Sequence, residues 1–100
     1  MERTKEQEEI IFGIEEFVGT RVLCPWIRKW SEKDFKRKSY YTFAAEELIR
    51  RIESSNLNPK TIIENFLIEM DVEYEQAKSE ERRFVFSCFR DCASDILFLL

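Results

Sequence analysis

The side chains best suited to recognition chemistry are concentrated between Arg21 and Tyr41. Arg21, Arg28, Lys29, Lys33, Lys36, Arg37 and Lys38 are seven of the sixteen basic residues, and Trp26, Trp30, Phe35, Tyr40 and Tyr41 lie among them. Only Glu32 and Asp34 oppose those cations, so the stretch carries +5 in a chain whose net charge is −4. Basic residues interleaved with aromatic rings are the chemistry of phosphate contact and base stacking. They also suit an acidic protein surface. The sequence pI of about 5.0 disfavours a dedicated nucleic-acid binder, whose domain is usually basic. An internal account is also open. Residues 1–20 set six carboxylates against Arg3 and Lys5, and a helix of that charge lying beside the patch would neutralise it.

Nothing else in the chain has the spacing of a catalytic site. Histidine is absent, which removes the commonest general base and a preferred zinc ligand together. Cys88 and Cys92, four apart, share one helical face, but zinc needs four ligands and Cys24 is the one further cysteine. They read as small apolar side chains on a core stripe. Cys24-Pro25 is too short a signature to imply haem, and no glycine-rich phosphate loop is present. The chain is accordingly read as a non-enzyme with no cofactor and no metal.

Composition sets the framework that holds these residues. One hundred residues suit a single domain over 1–100, and 44% hydrophobic content with nine phenylalanines supplies a core at that size. Two glycines and two prolines are too few for the turns of an all-β fold, while the abundant Glu, Lys and Arg favour helices. The longest apolar run, residues 96–100, is far below a membrane span of about 20 residues. The first residues are charged rather than apolar, so no signal peptide is read and the expected location is the cytoplasm. Three cysteines without framework spacing agree with a reducing compartment.

Hydrophobic periodicity predicts four helices. The first runs over residues 5–19 on Ile10, Ile11, Ile14, Phe17 and Val18, with Gly19 as its C-cap. A connector stiffened by Pro25 follows over residues 20–30. Ser31 and Asp34 form an S-x-x-D capping box for the second helix, and Trp30 and Phe35 are spaced as a hydrophobic staple. Its stripe is Tyr41, Ala44, Ala45, Leu48, Ile49 and Ile52, ending near Ser54 or Ser55. Asn58-Pro59 opens the third helix, whose stripe is Ile62, Ile63, Phe66, Leu67, Met70, Tyr74 and Ala77. The fourth carries Val85, Cys88, Phe89, Cys92, Ala93, Ile96 and Leu99 on one face. Ser79 is a candidate cap between the last two helices, and a break there is favoured over one continuous rod because both stripes must be buried. The expected fold is an all-α, four-helix antiparallel bundle with a structured connector between helices 1 and 2.

Every predicted helix also puts a large apolar residue off its stripe. Phe12 lies opposite Ile10 and Ile14, Tyr40 and Phe43 point away from Leu48 and Ile52, Ile68 and Val72 lie opposite Ile63 and Met70, and Phe98 falls on the polar face of the last helix. Scattered exposed apolar residues are ordinary on a protein surface. One in every helix of a small chain points to a partner surface, with a two-fold homodimer the simplest form. The functional expectation is a non-catalytic, self-associating interaction module of adaptor or inhibitor type. Phe12, Phe43, Ile68, Val72 and Phe98 form its apolar surface, and Arg28, Lys29, Lys33, Lys36, Arg37 and Tyr40 form a basic surface for an acidic protein. The alternative is a nucleic-acid-binding accessory protein using segment 28–40.

Overall fold

The computed structural model describes residues 4–22 and 32–99, with side chains over 4–19 and 35–99. Four helices account for nearly all of them: α1 (Lys5–Val22), α2 (Glu32–Glu53), α3 (Pro59–Gln76) and α4 (Glu80–Leu99). The fold is an all-α bundle, as composition and periodicity require.

Local chemistry sets the helix ends. Thr4 and Gln7 form a reciprocal capping box, with Gln7 N–H donating to Thr4 Oγ1 at 3.1 Å and Thr4 N–H donating to Gln7 Oε1 at 2.8 Å. Gly19 does not end α1. The helix continues to Val22, and neither glycine adopts positive φ, so the C-cap reading is corrected. Residues 20–22, expected in the connector, are helical, and the rest of that segment, with Trp30 and Ser31, lies outside the described residues. Asn58 Oδ1 accepts from Lys60 N–H at 2.9 Å, which caps α3 ahead of Pro59 at its first turn. Ser79 Oγ accepts from Arg82 N–H at 3.1 Å and starts α4 after a short break at residues 77–79.

The core is built from the anticipated stripes. Ile11, Ile14 and Val18 of α1 meet Tyr41, Ala44, Ala45, Leu48 and Ile52 of α2, then Ile62, Ile63, Phe66 and Met70 of α3 and Cys92, Ala93 and Ile96 of α4. Cys88 is also fully buried. Leu99 departs from the expected stripe and is exposed at the end of α4. α4 packs chiefly on α3 and α2, while α1 packs chiefly on α2. Along α3 and α4 the contacts run in opposite senses: Asp71 meets Arg90, whereas Lys60 and Glu64 share a trough with Ser94, Leu97 and Phe98. The principal extents are 39 × 36 × 22 Å.

Candidate interaction surfaces

The exposed face of α2 and the facing side of α4 share a cluster of aromatic rings. Phe43 stacks on Phe89 with centroids 5.7 Å apart and planes 22° apart. Tyr40 presents its ring edge-on to Phe84 at 6.0 Å and to Phe89 at 6.4 Å, and Phe86 meets Phe89 edge-on at 6.0 Å. These are the offset and T-shaped arrangements favoured by the ring quadrupole. The Arg37 guanidinium lies over the Phe84 ring at 5.2 Å, and its Nη1 meets Asp91 Oδ2 at 3.5 Å. Arg37 is thus engaged by α4, a contact that helical spacing alone does not reveal.

The cluster continues into a trough of about 310 Å³ between α2, α3 and α4, lined by Phe43, Ala44, Glu47, Arg51, Phe66, Met70 and Phe89. An ion network closes one end. Arg51 donates to Glu47 Oε1 at 3.1 Å within α2, and to Glu69 Oε2 at 2.8 Å and Oε1 at 3.3 Å on α3. Its guanidinium also lies 5.0 Å from the Phe66 ring centroid. Arg50 donates to Glu47 as well. Hydrogen bonding from Arg50, with Arg51 adding to it against the cost of burial, holds the Glu47 carboxyl down at about 2. Arg51 likewise lowers Glu69. Glu47 is thus the shared acceptor within α2, and Arg51 carries the network across to Glu69 of α3.

A wider trough of about 660 Å³ lies between α3 and α4, with Lys60, Glu64, Leu67 and Ile68 on one wall and Ser94, Asp95, Leu97 and Phe98 on the other. Phe98 is 91% exposed beside it, and Val72 lies one turn beyond Ile68. Behind that wall, buried Tyr41 donates its hydroxyl to Asp95 Oδ2 at 2.9 Å, which fixes α2 against α4. Arg90 lies over the Tyr74 ring at 4.2 Å and pairs with Asp71 at 3.3 Å.

The residues singled out by sequence divide sharply. Phe12, Phe43, Ile68, Val72 and Phe98 are all exposed. They are spread over different faces: Phe12 on α1, Phe43 in the α2–α4 cluster, and Ile68 and Phe98 beside the α3–α4 trough. Of the basic set, Lys36 and Arg37 are exposed on α2, and Tyr40 is half-buried between Phe84 and Phe89. Arg28 and Lys29 lie outside the described residues, as does the side chain of Lys33. Cys88 and Cys92 are buried and form no disulfide, and burial, then the carboxylates of Asp95 and Asp91, pushes Cys92 up to about 12. Among the described residues no cluster of three or more His, Cys, Asp or Glu is arranged to hold a metal, and no helix is long and apolar enough to cross a membrane. A scan against protein-family models, a search of curated proteins and a search of solved structures each found no match.

Proposed function

We propose that this chain is a non-catalytic protein-interaction module, of adaptor or inhibitor type, that self-associates and works in the cytoplasm. The observation behind this reading is the exposure of a large apolar residue on every helix: Phe12, Phe43, Ile68 with Val72, and Phe98. The bundle buries one apolar stripe of each helix, and these residues lie off those stripes. Ile68 and Phe98 line one trough and Phe43 another, and exposed apolar side chains grouped at such troughs are material for protein interfaces. Exposed Lys36 extends the surface toward an acidic partner, beside an Arg37 already engaged by Asp91. Size-exclusion chromatography with light scattering on the full chain tests the self-association. A dimer that dissociates on dilution is the expected result, and a strict monomer that also captures no acidic protein would end the proposal.

The second reading, nucleic-acid binding through segment 28–40, draws on the exposure of Lys36 and Arg37. It requires oligonucleotide binding that weakens steeply with salt and is lost in the triple variant Lys33→Glu, Lys36→Glu, Arg37→Glu. The half-burial of Tyr40 and the pairing of Arg37 with Asp91 leave fewer groups for base stacking and phosphate contact, so the protein partner is favoured.

A further inference from the structure

Helix α1 is attached to the bundle differently from the other three. α2, α3 and α4 all pack against one another and so close a three-helix unit, whereas α1 packs chiefly on α2. The ties within that unit do not pass through α1. Tyr41 and Asp95 join α2 to α4, Arg51 and Glu69 join α2 to α3, and Arg90 and Asp71 join α4 to α3. The rings of Tyr40, Phe43, Phe84 and Phe89 interlock across the α2–α4 seam. Phe66 and Met70 are buried where α2, α3 and α4 meet.

α1 brings Ile11, Ile14 and Val18 to the core, together with Gln7, the one buried polar residue among those described. The Gln7 amide does two things at once. Its Nε2 donates to the carbonyls of Ile52 and Ser55, and its Oε1 accepts from Thr4 N–H. Docking on α2 and capping of α1 therefore share one side chain, so the two are made and lost together.

The glycines supply an independent observation. Both in the chain, Gly13 and Gly19, lie inside α1. Neither has a positive φ, and a Cβ built at either meets no heavy atom within 4 Å. Nothing in the fold requires them, and glycine in a helix interior is less stable than alanine. A helix of 18 residues weakened in this way depends on tertiary packing to persist.

We propose that α1 is a strap latched by Gln7, which leaves the α2–α4 unit and melts in one step while that unit stays folded, and re-forms on docking again. Segments held by few neighbours open at lower free energy than the whole fold. The open state uncovers the apolar face of α2 that receives Ile11, Ile14 and Val18 in the closed chain, so the latch controls when that face is accessible. The inference does not depend on self-association.

Native-state hydrogen exchange of the full chain, followed by mass spectrometry in low denaturant at two chain concentrations, tests it. The α1 amides are expected to exchange as a group, with protection about tenfold or more below that of the central α3 and α4 amides. Their exchange should also depend less steeply on denaturant, because less surface is exposed in the opening. Gln7→Ala is expected to speed α1 exchange by about tenfold or more. Met70→Ala, with circular dichroism confirming that it is folded, separates the strap from global unfolding. Closed and open states both lose that side chain, so α1 exchange stays unchanged while the α3 and α4 amides exchange about thirtyfold faster or more. Equal protection and equal denaturant dependence for α1 and α4 in the parent chain overturn the proposal, a comparison that needs no variant. An effect of Met70→Ala as large on α1 as on α4 overturns it equally.

Discussion

The side-chain amide of Gln7, in the first turn of α1, donates to the main-chain carbonyl of Ile52, in the last turn of α2, at 2.9 Å, and to that of Ser55 at 3.0 Å. The same amide accepts from Thr4 N–H, so one 7%-exposed side chain caps the start of one helix and the end of another. Helix ends leave unsatisfied donors and acceptors, and burying them without partners is costly.

Gln7→Ala is therefore expected to destabilise the fold by about 1–3 kcal/mol, since it uncaps α1, removes the donor to the Ser55 carbonyl and leaves the Ile52 carbonyl only a 3.4 Å bond from Ser55 N–H. Urea denaturation with an unchanged m-value is the measurement. A loss within the ordinary surface range of about 0.5 kcal/mol would show that water replaces the amide without penalty.

Acid sensitivity follows from Glu47. Its carboxyl is held down to about 2 in the folded chain, against an ordinary value of 4.5, first by hydrogen bonding from Arg50 and further by Arg51. A lowered folded-state value means the unfolded chain binds the proton more readily. The contribution is fully present above about pH 4.5 and is lost as the pH falls toward 2. Glu47→Gln is expected to flatten the decline of thermal midpoint across that window while changing little of its slope near neutrality. Equal slopes for the variant and the parent in the acid window would contradict the assignment.

Cys88 and Cys92 are expected to resist thiol reagents in the folded state. Both are buried, and burial pushes Cys92 up to about 12, so almost no thiolate forms near neutral pH. In a Cys24→Ser chain, colour from a disulfide reagent should develop at the rate of unfolding, not at the rate of a free thiol. A fast native-state reaction would place these side chains elsewhere than in the core.

Exposed and buried rings should respond oppositely to truncation. Phe66→Ala empties a nearly inaccessible core site and is expected to cost about 3–5 kcal/mol. In the dissociated chain Phe12→Ala should stay within about 0.5 kcal/mol of the parent, and Gly13→Ala should gain about 0.5–1 kcal/mol because the added methyl meets open space. Chemical denaturation at concentrations low enough to dissociate any dimer separates these effects from association.

The helices and most of their ends were legible because their signals are local. Stripes at three- and four-residue spacing, Asn58-Pro59 and the Ser79 cap all act within one or two turns, and they appear where the pattern put them apart from Leu99, exposed at the end of α4, and Tyr74 and Val85, which lie outside the buried core. Gly19 misled for a related reason: glycine marks a helix end only when the backbone turns left-handed there, and here it does not. The Thr4–Gln7 pair did carry a readable signature, the T-x-x-Q form of the capping box, in the first residues of the chain.

Sequence alone determined the helical class, the core stripes and the off-stripe positions of Phe12, Phe43, Ile68, Val72 and Phe98, because helical period dictates which side chains share a face. Tertiary structure alone decided what those faces meet. Gln7 finds Ile52 across 45 residues, Arg51 finds Glu69, Tyr41 finds Asp95, and Tyr40 is taken up by the rings of α4. Such pairings depend on how stripes of similar composition choose one another and on the angle at which they cross. That choice belongs to the packing of whole helices and leaves no mark in the spacing of any one of them.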